Sequence, residues 1–413
     1  MESLSERGCV SMARLFQKLG SFAGDYSGAA SVLHDLDGMI IFCDAGACMG
    51  GFLFGEDPKG KNEERRFFTA SLREKQVVMG IDKKVKKDAI RTYKDVGGEF
   101  IGLIGTPVSA VIGADLEGIG KEICKSLYEE GITKSQIKNI AVRTNGLDAY
   151  DIGQQKAYQA LANVFVNENA ANIGDVNVIG ATPIDMWDYH QITDCINLLK
   201  EAGAKSPIVW GANGGINEIA GAAGAKLNIA VSVSGIKTVK ELHKKYGTPY
   251  LIGYPLGKEQ TGKWREKVHA LLQGEMPEEE KMSEEEKKES TRNGKRALII
   301  YEQITACALR EMLENEFDFG TVDIATFFTM DKSLKRENDF QIKDEEKIVN
   351  FLKEQEEYDL IIADPFCFSL LLYEPKTKVA LPHIAVSAIF CAKQSPNIFG
   401  EKASLYFEKM LKE

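Results

Sequence analysis

Short, uninterrupted apolar runs separated by amphipathic stretches set the rhythm of this chain. A helical segment near residues 11–19 and another over 27–36 lead into a first apolar run at 39–42, where Met-Ile-Ile-Phe has strand length. Runs at 76–79 and 100–105 follow, each preceded by charged sequence of helical character, and a helix is expected over 112–129 with Gly131 as its stop. A second set of runs lies at 140–142, 176–179, 207–210, 227–233 and 249–254, with helical stretches at 154–167, 189–202 and 238–246 between them. A third set lies at 297–301, 322–328, 360–363 and 383–386. Continuous rather than alternating apolar runs are what strands need when helices cover both faces of a parallel sheet. The pattern predicts three successive α/β domains with parallel, Rossmann-like sheets. Their expected bounds are 1–135, 136–273 and 296–413, with 274–295 as a linker. That linker is dense in Glu and Lys and almost without apolar residues, so it cannot contribute to a core.

A length of 413 residues suits two or three domains, each with its own core. The net charge of −10 argues against a role built on neutralising nucleic-acid phosphates. No uncharged apolar run reaches the roughly 18 residues that would suggest a membrane helix. Residues 1–14 lack the apolar core of a signal peptide, so a cytoplasmic protein is expected. Eight cysteines in such a chain are core residues, metal ligands or reactive thiols rather than a disulfide framework.

Three of the eight, Cys9, Cys43 and Cys48, fall within the first fifty residues. The stretch Ile-Ile-Phe-Cys-Asp-Ala-Gly-Ala-Cys-Met-Gly-Gly, residues 40–51, carries a strand into a glycine turn and delivers Cys48 onto a glycine-flanked loop. Cys9 lies beside Gly8 in a loop, where core packing explains it poorly. Fe–S clusters take thiolates from such loops, usually four, so three from one chain leave the fourth to a partner or another residue type. Three unrelated buried thiols account for the same spacing. Cys124 and Cys195 sit in amphipathic helices and read as core. Cys307, near a helix start, and Cys367, at a strand end after Asp364-Pro365, are weaker candidates. Residues 257–264 (Gly-Lys-Glu-Gln-Thr-Gly-Lys-Trp) nearly match a phosphate-binding P-loop, but Trp264 stands where Ser or Thr must hold Mg²⁺. Residues 211–215 (Gly-Ala-Asn-Gly-Gly) follow a strand and open a helix, which suits either an anion on free N–H groups or a tight βα turn. The five histidines form no motif with one another.

Taken in order, these segments resemble the component 1 family of nitrogenase-like oxidoreductases. Arg7-Gly8-Cys9, followed by Ser27-Gly28-Ala29-Ala30, resembles the first cluster cysteine and the glycine-rich helix behind it. Residues 43–48 resemble the family's His-Gly-Pro-x-Gly-Cys turn, with Cys48 on its second cluster cysteine and Cys43 on its histidine. Residues 104–116 resemble the third cysteine loop, but Pro107 stands in place of that cysteine. Residues 213–228 and 245–257 are similar to the glycine turn and the closing segment of the second domain. The cysteine and histidine that hold the large cofactor of true nitrogenase fall near Val231 and Ser387, and neither ligand is present. The resemblance implies three α/β domains around a shared cleft and a homo- or heterodimer with a second component 1-type subunit. It implies electrons from a separate ATP-dependent iron protein, and no nucleotide bound by this chain. It also implies an iron–sulfur cluster of the [4Fe–4S] type near the subunit interface, with Cys9, Cys43 and Cys48 as candidate ligands and dinitrogen reduction not expected. The first reading is therefore a nitrogenase-like reductase subunit. The second is a non-catalytic scaffold for metallocofactor assembly with the same fold, and the third a cluster-free protein binding a small anion at Gly214-Gly215.

Overall fold

The computed structural model describes residues 18–19, 22–56, 66–135, 137–186, 189–275 and 294–412. Cys9, most of the expected helix at 11–19 and most of the charged linker at 274–295 lie outside these residues.

Three parallel sheets carry the chain, confirming the α/β class of three Rossmann-like units. The first is built from β1 (Gly38–Phe42), β2 (Phe67–Thr69), β3 (Phe100–Ile104) and β4 (Lys138–Val142), in the order β2-β1-β3-β4. The second comprises β5 (Val176–Ile179), β6 (Pro207–Val209), β7 (Leu227–Ala230) and β8 (Tyr250–Ile252), ordered β6-β5-β7-β8. The third comprises β9 (Arg296–Ile300), β10 (Thr321–Thr326), β11 (Phe340–Gln341), β12 (Leu360–Ala363) and β13 (Thr377–Ala380), ordered β11-β10-β9-β12-β13. Every pairing among them is parallel. In each sheet the first strand is central and the chain later returns to its other side. The connections therefore diverge between β1 and β3, between β5 and β7, and between β9 and β12. At such points the loops leave in opposite directions and open a crevice at the carboxyl ends of the strands.

The long apolar runs become strands because helices cover both their faces. β1, β3, β5, β7 and β12 are buried along their whole length. Several expectations change in the structure. Residues 140–142, grouped by order with the second set, pair through β4 with β3 and complete the first sheet. Residues 76–79 belong to the helix Glu74–Met79, and residues 383–386 to the cap and first turn of the helix Ile384–Ala392. Four-residue apolar runs do not separate a strand from a buried helical turn. The expected helix over 112–129 begins at Leu116, because Gly113 turns the chain with φ +63° and the Asp115 carboxylate caps Gly118 N–H at 3.2 Å. β2, β11 and β13, short and mostly half-buried edge strands, gave no apolar run to read.

The helices Asp25–Leu33 and Tyr150–Phe165 cross at backbone contact, and this crossing ties the first sheet to the second. A Cβ on Gly28 would lie 1.8 Å from the Tyr150 carbonyl oxygen, and one on Gly153 would lie 1.7 Å from that of Asp25. Asp151, on the second of these helices, accepts the Thr329 N–H at 2.9 Å and so reaches the third sheet. Among the described residues no helix is long and apolar enough to cross a membrane.

Candidate functional site

At the divergence point of the first sheet, β1 runs out into Cys43 and Asp44. Asp44 is buried, and its carboxylate accepts the N–H of Cys48 at 2.8 Å and of Met49 at 3.4 Å, together with the Thr69 hydroxyl. It thus caps the helix Ala47–Gly55, whose own N-cap residue Gly46 (φ 124°) has no side chain to do so. Cys48 is the second residue of that helix, half-buried beside Tyr26. Among the described residues, a Cβ on Gly46, Gly50 or Gly51 would meet nothing within 4 Å. Burial, with the Asp44 charge, pushes the Cys48 thiol up to about 11 and outweighs the pull of a helix N-terminus toward thiolate.

Strand alternation sends Cys43 the other way. It continues the face of Met39 and Ile41 and is fully buried with them against Ile101 and Leu103. Its thiol is pushed up to about 12 by burial. Cys48 packs instead against the larger core on the opposite side of the sheet. The structure therefore does not bring Cys43 and Cys48 to one point, and Cys9 lies outside the described residues. Among the described residues no three metal-ligating side chains converge. Cys124, Cys195 and Cys367 are core thiols raised by burial, and Cys307 donates a weak bond to the Leu334 carbonyl at 3.8 Å.

The segment after each strand of the first sheet exposes at least one large apolar side chain: Phe54 after β1, Val78 and Met79 after β2, Val111 after β3 and Leu147 after β4. Parallel strands end at the same edge, so these residues share one side of the molecule.

A cavity of about 80 Å³ lies where the divergence points of the second and third sheets face each other. Gly180 and Ser232 reach it from the ends of β5 and β7, and Tyr301 and Glu302 from the end of β9. Asp185 accepts from the Tyr150 hydroxyl at 2.7 Å, from the Thr182 hydroxyl at 2.9 Å and from the Gln154 amide. Glu302 caps its own helix through Ile304 and Thr305 and also accepts the N–H of Val233, at 2.9 Å, from the other sheet. Burial raises the Glu302 carboxyl. The His383 ring is packed by Phe328, Tyr301 and Tyr150, with centroids 4.7, 5.5 and 6.1 Å away. Its Nδ1 accepts the Ala385 N–H at 3.1 Å, which leaves the ring proton on Nε2. Burial lowers the His383 pKa, so the ring is neutral at pH 7. Among the described residues no lysine or arginine lines the cavity. Sequence reasoning named none of these residues as a site. The available signal was position, since most follow directly on a strand's carboxyl end.

The two glycine motifs have their donors occupied. Residues 257–264 enter the helix Lys258–Leu272, where Lys258 N–H bonds Ser404 Oγ at 2.8 Å and Glu259 N–H bonds the Glu316 carboxylate at 2.9 Å. No phosphate cradle remains there. At residues 211–215, the Gly215 N–H is taken by Glu218 at 3.0 Å in a helix of only five residues.

The sequence matches the family described as nitrogenase component 1 type oxidoreductase over residues 25–365. The chain belongs to that family. Similar curated relatives include the nitrogenase iron-molybdenum cofactor biosynthesis protein NifE of Clostridium pasteurianum, 26% identical over 224 residues, which are 54% of this chain and 46% of that protein. The nitrogenase molybdenum-iron protein alpha chain of Azotobacter vinelandii is 26% identical over 200 residues, 45% of this chain and 37% of that one. A light-independent protochlorophyllide reductase component from Nostoc punctiforme is 22% identical over 309 residues, 69% of this chain and 60% of that one. The chain thus spans about half the length of the curated relatives it matches. A solved structure of nitrogenase Cp1 at pH 6.5 superposes with a TM-score of 0.72 over 98% of this chain and 94% of that one, at 15% identity. That likeness concerns the fold.

Within this nitrogenase component 1-type chain, the two described candidate cysteines differ in access. Cys48 is a half-buried thiol, whereas Cys43 is sealed in the opposite core. Val231 and Ser387, near which the resemblance puts the large cofactor's ligands, are an aliphatic side chain lining the cavity and a hydroxyl that bonds Asp364 at 2.7 Å. Neither offers a soft metal ligand.

Proposed function

We propose that this chain is one subunit of a nitrogenase-like reductase that accepts electrons from an ATP-dependent iron protein through an Fe–S cluster of the [4Fe–4S] type. The observation that carries the proposal is the half-buried Cys48 thiol at a sheet edge whose loops and helices expose large apolar side chains. A half-buried thiol at the carboxyl edge of a sheet whose following segments expose Phe54, Val78, Met79, Val111 and Leu147 suits a cluster covered by a second subunit, because exposed apolar patches mark interaction surfaces. In this proposal Cys48 and Cys9 are this chain's ligands, the partner supplies the others, and Cys43 packs the core. The bound cluster would relay electrons one at a time, at a potential set by hydrogen bonding and burial. The cavity between the second and third sheets would hold the molecule being reduced. Dinitrogen is not expected there, since Val231 and Ser387 cannot hold a large metal cofactor.

A scaffold role in metallocofactor assembly, in place of catalysis, is favoured by one observation. Among the similar relatives is a cofactor biosynthesis protein, and the cavity holds aliphatic Val231 near where the resemblance puts a cofactor ligand.

Iron and sulfide content, with EPR of the dithionite-reduced protein purified without oxygen, tests the proposal. A reduced Fe–S signal retained in Cys43→Ala and lost in Cys48→Ala and Cys9→Ala is the expected result. A colourless, iron-free protein, even when produced with its partners, overturns it. Iron-loaded protein that transfers its cluster and turns nothing over selects the scaffold.

A further inference from the structure

Residues 257–264 spend their first backbone donors on Ser404 and Glu316, yet the side chains that follow line a second pocket. Gln260, Lys263, Trp264 and Lys267 stand three and four apart and so share one face of the helix Lys258–Leu272. Ile304, Cys307, Ala308 and Glu311 repeat that spacing on the helix Gln303–Glu316, which packs against the first. The chain from β8 onward, residues 251–255, forms the floor. The pocket between them measures about 160 Å³ and lies on the seam of the second and third units. Tyr254 lines both this pocket and the cavity of Asp185 and His383. At ~30 Å³ per water there is room for roughly five waters, or for one small organic molecule.

Trp264, the residue that breaks the P-loop pattern, is only 7% exposed, and its indole Nε1–H is buried without a hydrogen-bond partner. A buried indole N–H ordinarily finds an acceptor, because an unmet donor forfeits its hydration for nothing. The edge that carries it faces the floor of the pocket: a Cβ on Gly253 would lie 3.8 Å from both Cδ1 and Nε1. Charge selects the acceptor. Among the described residues, two lysines, Lys263 and Lys267, and one carboxyl, Glu311, line this pocket, whereas no lysine or arginine lines the other cavity. Burial raises the Glu311 carboxyl against the pull of Arg336 and Lys267, so it opposes an incoming anion weakly. Lys263 pairs with Glu259 at 2.7 Å at the solvent edge, and an exposed pair holds its ammonium loosely.

We propose that this pocket is a second ligand site, for the anion of a small apolar carboxylic acid. One carboxylate oxygen accepts the Trp264 indole N–H, Lys263 meets the charge, and the hydrocarbon part lies on Ile252, Pro255, Ile304 and Leu334. A charge-assisted bond to the buried donor is the stronger kind, and it satisfies the one polar atom that the fold leaves unmet here. The site stands apart from the reductive reading above and needs no cluster.

Titration calorimetry of the intact protein with sodium butyrate, and with butylamine as the cationic control, tests the site. Butyrate is expected to bind once per chain, and butylamine not at all over the same range. Trp264→Phe keeps an aromatic ring and removes the donor, and should weaken butyrate about tenfold or more. Lys263→Met changes a side chain at the solvent edge, leaves the fold intact, and should weaken it roughly threefold. If Trp264→Phe fails to fold, the Lys263→Met result decides. No heat of binding up to about 10 mM butyrate overturns the site, as does binding that Lys263→Met and a folded Trp264→Phe leave unchanged. Butylamine binding as tightly as butyrate overturns the assignment of an anion.

Discussion

Two cysteines five residues apart meet opposite fates because of where the strand ends. Cys43 is the last residue to follow the alternation of β1 and falls into the core with Met39 and Ile41, while Cys48 lies beyond the turn at Gly46. The two substitutions should therefore separate cleanly. Cys43→Ala is expected to cost about 1 kcal/mol of stability, from a small core cavity, with iron retained. Cys48→Ala should leave the urea midpoint almost unchanged and remove the iron. Buried ionisable groups give a second prediction at this scale. Glu56 is raised in the folded state, so folding takes up a proton between pH 4.5 and about 7, and stability falls as pH rises through that window. Glu56→Gln removes that loss and should stabilise the protein at pH 8 by up to roughly 3 kcal/mol, with little effect at pH 4. His383 acts at the other end. Its lowered pKa makes protonation of the unfolded chain favourable, so stability is also lost as pH falls below 6.5. Urea denaturation across pH checks both signs.

Among the elements, the helix pair Asp25–Leu33 and Tyr150–Phe165 has the least slack. Gly28→Ala and Gly153→Ala each place a methyl group inside the van der Waals radius of a carbonyl oxygen on the facing helix. Each should cost roughly 1–3 kcal/mol from overpacking, more than the 0.5–1 kcal/mol that alanine gains within a helix. Because Tyr150 and Gln154 hold Asp185 from this helix, both variants should also disturb the cavity, seen as a changed near-ultraviolet circular dichroism of its tyrosines. The helix Ala47–Gly55 depends on a different device, the remote Asp44 cap. Asp44→Ala should cost about 1 kcal/mol and loosen the segment that presents Cys48, read as faster amide exchange at Cys48 and Met49. Much at this scale was legible. Most expected runs became strands, because burial on both faces demands a continuous apolar stretch that composition records. Residues 383–386 and 76–79 did not, because four apolar residues satisfy a buried helical turn equally well.

At the scale of the whole molecule, three parallel sheets turn the carboxyl ends of their strands to two uses. The first sheet presents Cys48 and an apolar rim outward, and the second and third close on a cavity. If the rim is a subunit interface, charging it should dissociate the assembly. Val78→Asp with Leu147→Asp is expected to convert the oligomer to monomer in light scattering while circular dichroism stays unchanged, and an oligomer that persists would place the interface elsewhere. The cavity was the least legible part of the protein. Tyr150, Asp185, Glu302 and His383 are separated by up to 233 positions (383 − 150) and share no spacing, so no local pattern could join them.

By itself the sequence determined the α/β class, the alternation of buried strands with helices and, through the order of its glycine and cysteine segments, the family. These are local properties, written in burial periodicity and turn chemistry. The tertiary structure decided that β4 belongs to the first sheet, that Cys43 and Cys48 face opposite cores, and that four distant residues meet at one cavity. It also decided that both glycine motifs spend their free N–H groups on Glu316, Ser404 and Glu218. Each of those outcomes depends on which elements pack against which, and a parallel sheet fixes that only when its crossovers close.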